Sequence, residues 1–215
     1  MCRSPASFIY ITGCDGTGKT TQAQLLLVQL LAQGVKARVL WLRFPFFISI
    51  PLLAYARLKG YSWIEVVDGV RHGYWDFRSS WLMKNIFPWF LLVDATLASL
   101  IKIYFPMKFG STIICERFVL DMLVDLAVAT QDMGVFNSYP GMLFIRLLPT
   151  GSRRIALELD GKMIQERRAD LKSDRKLTLR IQAYQRLCEE YSIPMISSQA
   201  SIKIVQQKIM EVTGL

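Results

Sequence analysis

The sequence predicts an α/β fold, a three-layer arrangement in which a mainly parallel sheet carries helices on both faces. Two observations support this. Short β-branched and aromatic runs alternate with stretches of helical periodicity along most of the chain. One strand-to-helix junction, Gly13-Cys14-Asp15-Gly16-Thr17-Gly18-Lys19-Thr20, also fills every fixed position of the phosphate-binding P-loop pattern, which belongs between a buried strand and a helix N-terminus. The chain of 215 residues is long enough for one such domain, expected to span 1–215.

The elements follow in order. Phe8-Ile9-Tyr10-Ile11-Thr12 reads as a buried strand. After the glycine-rich loop, Ala23, Leu26, Leu27, Leu30 and Leu31 share a helix face that Gly34 terminates. Val35–Leu42 reads as the second strand, and an aromatic-rich middle from Phe44 to Phe109 is expected to be helical in pieces. Ser111–Cys115 is a short buried strand ending at Glu116-Arg117, with a helix from about Leu120 to Thr130. Arg154–Leu159 reads as a further strand, and Leu177, Ile181, Tyr184, Cys188 and Tyr191 mark a helix face. Ile193-Pro194-Met195-Ile196 is the last strand, where the proline calls for an edge position or a strand entry. Ile202, Val205, Ile209 and Val212 mark the closing helix.

Composition narrows the chemistry. The 26 Lys and Arg against 17 Asp and Glu give a formal net charge of +9, which suits anionic partners. Cys2, Cys14, Cys115 and Cys188 are scattered, so neither a metal site nor a disulfide framework is expected, and a reducing cytoplasm is the expected compartment. A histidine-based triad would need His72, the single histidine, which reads better as structural. The apolar stretch 86–105 has the length of a membrane span, but Pro88, Asp94 and Lys102 interrupt it. A helix buried inside the domain or at a dimer interface is the expectation, and docking on lipid the competing one. No nucleic-acid partner is expected.

The P-loop explains its own residue types. A backbone that wraps a polyphosphate must turn its N–H groups inward, which favours glycine. Lys19 supplies a point charge for the β/γ-phosphates, and Thr20 a hydroxyl for Mg²⁺ at a helix N-terminus. Gly13, Cys14, Gly16, Thr17, Gly18, Lys19, Thr20 and Thr21 are therefore the expected contacts for a nucleoside triphosphate. Asp15, Arg43, Glu116 and Arg117 fall at strand ends or in the loops after them, where ligands of an open parallel sheet bind. The run 166–176, which contains Arg167, Arg168 and Arg175, reads as a basic loop able to close over phosphates.

The order of these pieces resembles the thymidylate kinase family of nucleoside monophosphate kinases. The P-loop with Asp15, Thr20, Thr21 and Gln22 is similar to that family's version. Arg43-Phe44-Pro45 resembles its Arg-Phe-Pro segment, and Glu116-Arg117-Phe118 its Asp-Arg-Tyr motif. Arg167-Arg168 with Asp174-Arg175 resembles its lid, about 163–176, and the segment 197–202, with Gln199 and Ala200, its adenine loop. The resemblance implies ATP and Mg²⁺ as cofactors, dTMP as acceptor and a homodimer. It implies that Asp15 contacts the acceptor sugar, that Arg43, Phe44, Pro45 and Arg117 hold the acceptor, and that Glu116 and Thr20 organise the metal. No arginine precedes Lys19 in the loop, so the transition-state charge would fall to Arg167, Arg168 or Arg175. The chain departs from the family where the acceptor is read: Phe46-Phe47 stands where another arginine is usual, and 92–97 contains none. Arg71, Arg78 or Lys84 are the candidates to replace them. A deoxynucleoside or a less polar phosphorylated metabolite is the alternative acceptor, and a non-catalytic nucleotide-binding protein the alternative class.

Overall fold

In a computed structural model, which describes residues 7–43, 47–67 and 69–214, the first strand, β1 (Phe8–Gly13), is buried along its whole length. The helix after the glycine-rich loop, α1 (Lys19–Ala32), leads to β2 (Ala37–Trp41). Then come α2 (Ile50–Leu58), β3 (Ser62–Val67), β4 (Val70–Trp75), α3 (Trp81–Asn85) and α4 (Phe87–Ser99). A π-helical turn, Leu100–Tyr104, joins α4 to α5 (Phe105–Lys108). The second half contains β5 (Thr112–Glu116), α6 (Val119–Thr130), α7 (Tyr139–Arg146), β6 (Arg153–Glu158), α8 (Gly161–Arg167), α9 (Leu177–Glu190), β7 (Met195–Ser197) and α10 (Ile202–Thr213).

The main sheet has the order β2-β5-β1-β6-β7, and every neighbouring pair is parallel. Alternation along β1 divides the core. Ile9 and Ile11 pack with Ala23, Leu26 and Leu30 of α1 and with Val205 and Ile209 of α10. Phe8 and Tyr10 point the other way, into a larger core built from α4, α6, α7 and α9. The fold is thus α/β, with a mainly parallel sheet flanked by helices, as in P-loop NTPases. Pro194 sits just before the edge strand β7, and its carbonyl accepts the Ala156 N–H at 2.9 Å, so the missing donor costs no ladder bond.

The middle of the chain is helical in pieces, as expected, except for one antiparallel hairpin. Ser62–Val67 and Val70–Trp75 pair antiparallel, β3 on β4, with Glu65 opposite His72 and Trp63 opposite Tyr74. The Asp68-Gly69 dipeptide, after a β-branched run and before an aromatic one, is the sequence signal for it. The stretch around 86–105 is helical. Trp81–Lys108 forms one helical run long and apolar enough to cross a membrane, with 44% of its most apolar window buried. Asp94 lies on the inner side and is fully buried. Its carboxylate accepts the N–H groups of Phe47, Ile48 and Ser49 at 2.8–3.0 Å and the Ser49 hydroxyl at 2.5 Å. It therefore anchors the entry to α2, and these bonds outweigh burial and hold its pKa below the ordinary carboxylate value.

Candidate functional site

The phosphate loop sits at the carboxyl end of β1, in the centre of the sheet. Gly13 is required by close approach: a Cβ there would lie 2.2 Å from the Leu157 carbonyl oxygen of β6. Gly16 faces the stem of Arg168, whose Cγ would be 3.1 Å from an added Cβ. The Lys19 ammonium is buried and donates to the Cys14 carbonyl at 2.6 Å, so the loop's own backbone holds the cation. Burial lowers the Lys19 pKa and pushes the Cys14 thiol up to about 11, which keeps the thiol neutral.

Thr20 Oγ1 donates to Glu116 Oε2 at 2.7 Å. A hydroxyl and a carboxylate side by side at a phosphate loop suit Mg²⁺, which takes one or two protein oxygens and keeps phosphate oxygens and waters as its other ligands. Among the described residues, no group of three or more His, Cys, Asp or Glu could hold a metal without such help.

Two cavities flank the loop. One, about 280 Å³, is lined by Asp15, Lys19, Thr20, Glu116, Arg117, Arg167 and Arg168 among others. The next, about 380 Å³, lies between the loop and the segment 198–202, with Thr21, Gln22, Arg167, Ser198 and Ala200 on its walls. Gln22 Oε1 and Ser198 Oγ are buried there without a hydrogen-bond partner among the described residues. Buried polar atoms are normally satisfied, so this groove suits a ligand with polar edges, as a nucleobase has. Gln199, by contrast, lines a different cavity beside Tyr184 and Gln185.

Arg117, at the end of β5, has φ +58, a conformation that costs a non-glycine residue about 1 kcal/mol and that clusters at functional sites. Its guanidinium pairs with Asp15 and lies 3.6 Å from Asp121. Asp121 is fully enclosed. It accepts from the Tyr10 hydroxyl (2.7 Å), the Thr12 hydroxyl (3.1 Å) and the Tyr184 hydroxyl (2.6 Å). The Tyr10 oxygen in turn accepts from the N–H groups of Phe118, Leu120 and Asp121, capping the first turn of α6. Burial and the Asp121 charge push the Tyr10 hydroxyl well above its ordinary pKa, so it remains a donor.

A third cavity, about 290 Å³, opens between the hairpin, α6 and α9, lined by Arg43, Gly73, Tyr74, Trp75, Asp125, Lys176 and Arg180 among others. Asp125 is buried between two cations. Arg43 reaches it through Nε at 3.1 Å and Nη2 at 2.9 Å, and Arg180 Nη1 at 2.5 Å. Burial opposes its charge, but the two guanidiniums outweigh that and hold its carboxyl below the ordinary range. Arg43 Nη1 is also 3.9 Å from Asp15, which links this cavity to the phosphate loop.

The basic loop divides. Arg167 Nη2 donates to the Ser198 carbonyl at 2.8 Å, and Arg168 pairs with Asp170 at 2.6 Å; both line the loop cavity. Arg175 is turned away from it and pairs with Glu65 of the hairpin at 2.8 Å. Beside it, Ser173 Oγ is 3.0 Å from His72 Nε2, so the histidine has the structural place expected of it. The arginine replacements named from the sequence do not line the third cavity. Arg78 is exposed and pairs with Asp76, Arg71 and Lys84 are exposed, and the cavity's basic groups besides Arg43 are Arg180 and Lys176. Phe44 and Pro45 lie outside the described residues.

No protein-family model matches the chain, and no curated protein sequence matches it. Solved structures do. A crystal structure of thymidylate kinase from Ehrlichia chaffeensis superposes with a TM-score of 0.59 and 15% identity, over 97% of this chain and 99% of that one. At this identity the likeness is one of fold.

Sequence reasoning passed over Asp121, Asp125, Arg180 and Tyr184. The signal was present: two aspartates four residues apart in an otherwise apolar helix share a face, and so do Arg180 and Tyr184 on α9. Ionisable side chains on faces that must be buried have to find partners.

Proposed function

We propose that the chain is a Mg²⁺-dependent kinase that transfers the γ-phosphoryl of ATP to a nucleoside monophosphate, dTMP by resemblance, in one catalytic unit spanning 1–215. The observation that carries the reading is the juxtaposition of a complete phosphate loop, with Thr20 on Glu116, and an arginine-lined cavity linked to it through Asp15. The triphosphate lies along Gly13–Thr21 with Lys19 on its β/γ-phosphates, and the base enters the groove at Gln22, Ser198 and Ala200. Thr20 and Glu116 hold the metal, which when bound neutralises charge on the phosphates. Asp15 orients the acceptor, and Arg43 and Arg117 receive its phosphate by exchanging their present carboxylate partners for it. Residues 163–176 act as the lid. Arg167 and Arg168 already border the phosphates' cavity and stabilise the moving charge, whereas Arg175 would first have to leave Glu65.

A second acceptor class is favoured by one feature. Asp125 is shared by Arg43 and Arg180, and Asp15 pairs with Arg117, so each of these arginines already has a carboxylate partner without a ligand phosphate. Such a cavity also suits a deoxynucleoside hydroxyl. ADP release with Mg·ATP and a panel of monophosphates and nucleosides decides between them. Turnover with dTMP supports the first reading, and turnover with thymidine alone moves it to the second. ATP binding without turnover on any acceptor overturns both.

A further inference from the structure

The helical run from α4 to α5 is apolar on both sides. Its inner face is core, but Phe90, Val93, Leu97, Leu100, Ile101 and Phe105 point outward, with Ile101 69% and Phe105 61% exposed. Their spacing of three, four, three, one and four places them along one stripe. At the entry to α2, Phe47 and Ile48, whose N–H groups are bound to Asp94 of this helix, are exposed as well. Apolar surface of this extent calls for an occupant.

Charge selects among the occupants. From Gly16 to Ile64 and from Phe77 to Cys115 the only acidic residue is Asp94, and it is buried. The exposed charges at the edge of the stripe are positive. Lys102 and Lys108 lie on the helical run itself, Arg38 donates to the Lys102 carbonyl, and the Lys36 carbonyl accepts from Thr112 just beyond α5. A second copy docked by a two-fold axis would set this face against itself, with like charges meeting across the seam. An anionic bilayer offers acyl chains to the stripe and negative headgroups to the lysines and arginines. Spanning is excluded by the inner face, which is core and holds the Asp94 bonds.

We propose that this face lies in the interface of an anionic membrane, with the helix parallel to the surface and the phosphate loop in the aqueous phase. The proposal is independent of which acceptor is phosphorylated. The test is co-sedimentation of the full chain with vesicles of phosphatidylcholine alone and of phosphatidylcholine with an equal share of phosphatidylglycerol. The expected result is at least about tenfold stronger binding to the anionic vesicles, weakened by salt. Leu97→Glu with Ile101→Glu should reduce it to the neutral-vesicle level, with thermal midpoint and ATP binding unchanged because both side chains are exposed. Lys102→Glu with Lys108→Glu should weaken binding to anionic vesicles only. Absence of binding to anionic vesicles overturns the proposal, as does undiminished binding by the Leu97/Ile101 pair. A dimer in sedimentation velocity that the same pair converts to monomer, with no vesicle binding, assigns the face to a second copy instead.

Discussion

The two sides of the site differ in how their polar groups are satisfied. On the phosphate-loop side, Gln22 Oε1 and Ser198 Oγ have no hydrogen-bond partner among the described residues, and Lys19 donates to a backbone carbonyl. On the acceptor side each arginine already has a carboxylate partner: Arg43 and Arg180 share Asp125, and Arg117 pairs with Asp15 and lies near Asp121. The first side is completed by a ligand. In the second the arginines are paired without one, and a ligand phosphate must displace a carboxylate partner to bind them fully. The donor site is therefore expected to bind with little rearrangement, while acceptor binding is coupled to the breaking and remaking of ion pairs.

Four substitutions sharpen or break that contrast. The largest effect is expected from Lys19→Ala, which removes the only cation inside the loop's backbone and should lower turnover by about 10²–10³, measured as ADP release with Mg·ATP and saturating acceptor. A near-normal rate would remove the loop from the mechanism.

Asp125→Asn comes next, because it removes the carboxylate that bridges Arg43 and Arg180. Urea unfolding at neutral pH should show a loss of about 3 kcal/mol. The pH dependence has a definite sign. The folded-state carboxyl lies below its ordinary value, so its stabilisation is present above about pH 4 and is lost as pH falls through the folded value. The wild type should lose stability below about pH 4, and the variant should lose less over that range.

Tyr184→Phe removes one of three side-chain hydroxyls on Asp121 and leaves a buried carboxylate oxygen less satisfied. It should cost about 1–2 kcal/mol in the same titration. A larger fall in activity than in stability would show that the network positions Arg117. Glu65→Gln should have the smallest effect on stability, about 0.5 kcal/mol at most, since Arg175 is mostly exposed. If Arg175 belongs to the lid's closed state, releasing it should lower the acceptor KM, whereas an unchanged KM would assign the pair to the surface.

The same contrast marks what was legible in the sequence. The phosphate loop and its flanking strand and helix could be read because a polyphosphate cradle constrains residue types at fixed spacing. The strands β5, β6 and β7 were legible as short apolar runs, as was the edge position of Pro194. The hairpin was not, because aromatic residues are equally at home in a strand and in a buried helix, and only Asp68-Gly69 separates the cases. Asp121 and Asp125 were hidden for a related reason: partners from β1, the loop after β2 and α9 are distant in sequence, so spacing shows that the aspartates are buried together but not with whom. Asp94 drew attention as an obstacle to a membrane span, and its role as the anchor of α2 emerges only in three dimensions.

The most direct test follows the phosphoryl group itself. The chain is incubated with Mg²⁺, ATP labelled at the γ-phosphate and either dTMP or thymidine, and the products are separated. Label on the acceptor with the wild type, and none with Lys19→Ala, is the expected result. Label that remains on ATP or passes only to water, with both acceptors present, would contradict a phosphoryl transfer between the two halves of this site.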